Sequence, residues 1–160
     1  DSCLRVLSGF YGILRPFDGV RPYRLEMQAG IRLENGGKTF GSLYAFWGDS
    51  LYRELTAEDR VIVNLASKEY SRAVEPFLAS DVRFVNVIFG SLERGRNGEE
   101  RIKVKATEAK MARGEMVRFL ARAGAEEPEA MKGFGELGFA YSEVHSGEDK
   151  YVFLRQTDKK

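Results

Sequence analysis

A mixed α/β fold is what this sequence predicts, an α+β arrangement in which a mixed sheet is flanked by helices within one compact domain. Two observations carry that expectation. Apolar runs of strand length, at 4–7, 60–66 and 82–92, alternate with stretches whose apolar residues recur at three- and four-residue steps, at 39–55 and 107–123. The chain has 160 residues, 43% of them apolar and 12% aromatic, which suits one domain with a real core. Residues 1–155 are expected to form that domain and 156–160 a loose polar tail.

Taken in order, residues 4–7 suit a buried strand that empties into a loop over 8–27. That loop holds two prolines, three arginines, three glycines and two tyrosines without helical periodicity. Pro16 and Pro22 fix their own φ and push Arg15 and Arg21 toward extended backbone, so no helix through the run is expected. Arg15, Tyr23, Arg24 and Glu26 are spaced along this stiff segment. Two readings fit them: an ordered crossover carrying surface charge, or one wall of a binding site. Asn35-Gly36-Gly37 signals a turn or hairpin.

Residues 39–55 predict one amphipathic helix with Thr39 or Ser42 as N-cap, interrupted by Gly48. Trp47 either packs closely or walls a pocket with Asp49 at its rim. The β-branched run 60–66 predicts a buried strand, followed at once by a short helix capped by Ser67. Asn64, Ser67, Glu69 and Tyr70 therefore fall near a strand's carboxyl end, where open α/β sheets bind ligands. Pro76 closes that helix.

Residues 82–92 predict another buried strand, turning at 94–98 into an exposed basic strand over 101–105. The basic residues there serve as edge protection or as phosphate contacts. Residues 107–123 predict a second helix, with Met111, Met116, Phe119 and Leu120 as its apolar stripe and Gly124 as its end. Lys110 and Arg113 share one face near its start, as an anion site or as solvated charge. Pro128 opens a short helix before Gly133-Phe134-Gly135, a glycine-hydrophobe-glycine turn like that of helix-hairpin-helix modules. Two strands, 138–144 and 151–155, then join through a turn.

Composition excludes several classes. Twenty-five basic against twenty-four acidic residues give a net charge of +1, so any basic surface must come from local clustering. A single cysteine, Cys3, rules out an intrachain disulfide and multi-cysteine metal sites. No apolar run approaches the roughly 20 residues of a membrane span and no signal peptide opens the chain, so a cytoplasmic protein without membrane contact is expected. The start at Asp1 suggests a piece of a longer chain. His145 is the lone histidine, no metal site is expected, and the pattern names neither cofactor nor oligomeric state. HExxH, Walker A, GxSxG and CxxC motifs do not occur. What remains is a polar set: Arg15, Tyr23, Arg24, Glu26, Asn64, Ser67, Glu69, Tyr70, Lys110 and Arg113. Convergence of these groups would hold a phosphate or carboxylate and move a proton, with Glu69 and Tyr70 as the acid–base candidates.

Four ordered blocks, LSGFYGILRPFDGVRPYRLEM, FWGD, NLASKEY and AKMARGEMVRF, resemble the YaaA family of bacterial peroxide-stress proteins. The resemblance runs from about Leu4 to Arg155, with fewer familiar features at 95–100 and after Gly133. It implies a mixed α/β fold, a cytoplasmic protein that lowers free intracellular iron, and DNA binding. It also implies that the family's opening segment, a strand followed by SPAKT, lies outside this chain. Two functional expectations follow: contact with double-stranded DNA phosphates through Arg15, Arg24, Lys110 and Arg113, or enzymatic action on an anionic small molecule held by the same groups.

Overall fold

The computed structural model describes residues 3–95 and 97–155. The expected tail at 156–160 and Arg96 within the 94–98 turn lie outside the described residues. The mixed α/β class is borne out, and the chain resolves into two compact units. The first comprises Asp1–Ile62 and Ala66–Arg83, the second Val63–Leu65 and Phe84–Lys160.

In the first unit, β1 (Val6–Ser8) and β2 (Gly12–Leu14) form a short antiparallel hairpin in which Val6 faces Leu14 and Ser8 faces Gly12. The expected buried strand over 4–7 is thus a three-residue edge pair shifted two positions on, with Val6 exposed. Two strands this short have no second face to bury. A further hairpin, β3 (Leu33–Asn35) and β4 (Lys38–Phe40), turns at Gly36-Gly37 as expected.

The single helix predicted over 39–55 is corrected to two. Thr39 and Phe40 belong to β4, and Ser42 caps α1 (Leu43–Trp47), its Oγ accepting the Ala45 N–H at 3.2 Å. Gly48 then takes φ 51°, which breaks the ladder before α2 (Ser50–Leu55) begins. Leu43, Leu51, Met27, Ala73 and Val74 are this unit's buried apolar residues. α3 (Lys68–Ser71) is one turn long, and a 3-10 turn at Glu75–Phe77 carries Pro76.

The second unit holds a five-stranded mixed sheet. β5 (Val61–Asn64) lies beside β6 (Arg83–Arg94), which runs parallel to β9 (Lys150–Arg155), and β8 (Phe139–Tyr141) closes that edge antiparallel to β9. β7 (Glu100–Lys103) folds back on β6 as the predicted hairpin. β5 is less buried than its sequence suggests: Val61 is exposed and its other residues are half-covered, because it is an edge strand. Val85, Val87, Phe89, Tyr151 and Phe153 alternate toward one core.

That core is covered by α4 (Ala106–Ala123), which ends at left-handed Gly124 as predicted. Its buried face is Ala109, Ala112 and Met116, with Phe119 and Leu120 beside them. The predicted stripe is corrected at Met111, which is 56% exposed. Alanines let the helix approach the sheet closely, and that places the larger Met111 outside. Phe134 is fully in the core, packed between Phe89, Phe119 and Phe153, and follows a 3-10 segment, Pro128–Gly133. The strand expected over 138–144 stops at Tyr141, and His145 ends a 3-10 turn with its Nδ1 2.8 Å from Ser142 Oγ.

Candidate functional site

In the first unit α3 carries Glu69 and Tyr70 side by side. Ser67 stands at the N-cap in extended conformation, but its backbone carbonyl, not its hydroxyl, does the capping, accepting the N–H groups of Tyr70 at 3.0 Å and Ser71 at 2.9 Å. Glu69 is held at both ends. Tyr44 Oη donates to its carbonyl at 2.8 Å, and the Gln28 N–H donates to its Oε1 at 3.3 Å. A carboxylate fixed in this way has a defined direction, which a surface glutamate lacks.

Tyr70 meets the loop at the Met27 backbone. Its phenol is pushed above the usual tyrosine value of 10.0, first by burial and then by the charge of Glu69, Tyr23 and Glu26, while a hydrogen bond with the Met27 backbone pulls the other way. The phenol therefore stays protonated at every physiological pH and is a hydrogen-bond donor. Glu69 and Tyr70 thus meet the end of the 8–27 loop at Gln28 and Met27, next to Glu26 in sequence.

Ser8 supports this group and was not among the predicted site residues. It is 3% exposed, and its Oγ accepts the N–H groups of Phe10 at 3.2 Å and Tyr11 at 2.9 Å. The same Oγ shares a hydrogen bond with Tyr23 Oη. The signal was present as Ser8-Gly9 at the head of the loop, an ST-turn pattern. Arg15 and Arg24 are exposed; the Arg15 N–H is bound by Asp18 Oδ2 at 2.7 Å, which turns the chain there.

In the second unit the predicted Asn64 donates from Nδ2 to Asn86 Oδ1 at 2.8 Å, and the Asn86 N–H donates to the Asp149 carbonyl. Asn86 is the one polar side chain in the apolar run 84–90 of β6, and that is the signal for it. Lys110 is exposed on α4, and Arg113, one turn on, is half-buried. Burial disfavours the Arg113 cation, and its Nε is buried with no hydrogen-bond partner among the described residues. Such a group is costly unless something supplies an acceptor. Among the described residues no three or more His, Cys, Asp or Glu side chains gather as a metal cluster, and no helix is long and apolar enough to cross a membrane.

Comparison with known proteins adds a family to this geometry. The model of the family described as peroxide stress protein YaaA matches residues 1–145. A UPF0246 protein of Desulfitobacterium hafniense is 48% identical over 160 residues, covering 100% of this chain and 60% of its own length. One from Pediococcus pentosaceus is 48% identical over 152 residues, and one from Lachnoclostridium phytofermentans 49% over 152, each covering 95% of this chain and 57% and 56% of its own length. The chain thus spans less than two thirds of the relatives it matches.

Proposed function

Because the chain belongs to the peroxide stress protein YaaA family, we propose that it acts in the cytoplasm to lower free intracellular iron and to hold the phosphates of double-stranded DNA. The observation that carries the DNA half is Arg113, a half-buried guanidinium whose Nε lacks a partner among the described residues, one helical turn from exposed Lys110. A phosphate at the accessible part of this guanidinium offsets its desolvated charge, and Lys110 adds a second cation on the same face. Arg15 and Arg24 in the first unit offer further phosphate contacts, with Asn64 and Ser67 as neutral donors. Contact of this kind reads backbone, so little sequence preference is expected.

The test is the salt dependence of duplex binding. Affinity should fall steeply with salt, and replacing Lys110 and Arg113 by Gln should flatten the log–log slope by about one unit per lost contact. A slope that the double variant leaves unchanged would remove the reading. The iron half is tested in peroxide-challenged cells, where chelatable iron measured by electron paramagnetic resonance should rise when the whole protein is absent.

A second reading rests on a different observation, the meeting of Glu69 and Tyr70 with the loop at Gln28 and Met27, where Tyr23 and Glu26 help to raise the Tyr70 phenol. Carboxylates repel DNA, so phosphate-backbone contact does not explain them. An enzyme acting on an anionic small molecule does: cations orient the anion, Tyr70 donates a proton, and Glu69 accepts one. Thermal-shift measurements against phosphorylated and carboxylated metabolites test it. A stabilising compound whose effect is lost in Tyr70→Phe supports the enzyme, and a panel without one argues against it.

A further inference from the structure

The loop over 8–27 is fixed at its root and bare at its tip. Trp47 Nε1–H donates to the Gly9 carbonyl at 3.1 Å, and a Cβ placed on Gly9 would stand 2.9 Å from the Leu25 carbonyl oxygen, so the two limbs pack backbone to backbone. Met27 is fully buried at the far end. Outward from this anchor, Phe17 is 85% exposed and Phe10 58%. Phe10, Tyr11 and Tyr23 form a ring cluster with centroids 4.9, 5.5 and 5.4 Å apart. Both phenols are tethered, Tyr11 Oη accepting the Arg21 N–H at 3.0 Å and Tyr23 Oη meeting Ser8 Oγ.

Cations are threaded through these rings. Arg15, Arg21 and Arg24 are exposed, and none forms an ion pair among the described residues. Asp18 and Glu26 are the only acids between positions 8 and 27, and Asp18 is engaged with a backbone N–H. Exposed aromatic rings cost solvation unless something covers them, and the interleaved guanidinium groups specify a flat, apolar-faced and anionic cover.

We propose that this loop is a stacking platform for unpaired nucleotides, with Phe10, Phe17 and Tyr23 against base faces and Arg15, Arg21 and Arg24 on the strand's phosphates. It rests on the nucleic-acid reading above and adds to it a ligand class and three ring contacts. A duplex hides its base faces, whereas a single strand presents them, and ring stacking accepts every base. The clamped root and the two prolines keep the platform's ordering cost low.

The experiment is fluorescence anisotropy of the purified chain with labelled oligothymidine and with a hairpin duplex, at one fixed low salt concentration. Phe17→Ala and Phe10→Ala should each weaken oligothymidine binding about tenfold, leave duplex binding within about twofold, and show unchanged circular dichroism. Phe17→Tyr, which keeps a ring, should restore binding, and Val144→Ala, which shortens an equally bare apolar side chain in the second unit, should change nothing. Equal losses on both probes, no loss on oligothymidine, or no oligothymidine binding by the unaltered chain would each overturn the platform. A Phe17→Ala change in sedimentation with oligothymidine affinity unaltered would also overturn it, assigning the rings to a second copy. Absence of duplex binding by the unaltered chain, with oligothymidine bound, removes the duplex reading and leaves the platform standing.

Discussion

Trp47 reaches across thirty-eight positions of sequence to donate its indole N–H to the carbonyl of Gly9, and the same ring closes over Gly12. A Cβ on Gly12 would lie 2.8 Å from Trp47 Cη2, and Gly12 has φ +77°. Gly12→Ala should therefore destabilise the first unit by about 1–3 kcal/mol through overpacking and backbone strain together. Trp47→Phe, which strands the carbonyl of buried Gly9, should cost about 1–3 kcal/mol. Urea unfolding measures both, and an unchanged midpoint in either would show that the clamp does not hold the loop.

A second expectation concerns Tyr70. A raised pKa means that the folded chain keeps a proton that the unfolded chain has released, so the stabilisation is complete below 10.0 and is lost as pH rises through the folded value. Ultraviolet absorbance titration should show a late phenol component that disappears in Tyr70→Phe. Glu69→Gln should move that component down without restoring the ordinary value, since burial is the larger cause. A Tyr70 that titrates with the exposed tyrosines would place it in water and dissolve the cluster.

The sequence was legible where one physical signal dominated. Alternation along 82–92 and helical spacing along 107–123 predicted β6 and α4 because nothing competed with them. It misled where size was taken for burial: Met111 outranks Ala109 and Ala112 in hydrophobicity, yet the sheet's closeness selected the alanines. Phe40 fitted the helical spacing of 39–55, but its pairing with Leu33 is a tertiary fact that no local window contains. The candidate site was legible as residue types. That Glu69 and Tyr70 meet the loop at Gln28 and Met27, and that Ser8 binds Tyr23, depends on how the loop folds back on its own unit.

Phe134 separates a packing role from a nucleic-acid role for the Gly133-Phe134-Gly135 turn. It is 2% exposed and meets three other phenylalanine rings. Phe134→Ala should cost about 3–5 kcal/mol of stability, as large-to-small changes in packed aromatic cores do. Calorimetry would check it. A cost below about 1 kcal/mol would mean that the ring can leave the core, and would return the turn to consideration as a surface motif.

Arg113 makes the most discriminating prediction, because a structural brace and a ligand-holding cation respond in opposite directions. If its half-buried guanidinium is kept for an anion, the free protein carries a desolvated charge that it does not need for folding. Arg113→Met keeps an unbranched apolar stem that ends near the position of Nε and removes the charge. The variant should then be more stable than the unaltered chain, by about 1 kcal/mol, as when other poorly compensated buried charges are replaced by apolar groups. Duplex affinity should fall in the same variant, and the salt slope should flatten. Urea unfolding and a binding titration on one preparation decide the matter. A less stable Arg113→Met would make the guanidinium a brace within the second unit and withdraw the observation on which the anion site stands, whereas greater stability with weaker binding is the signature of a residue kept for its ligand.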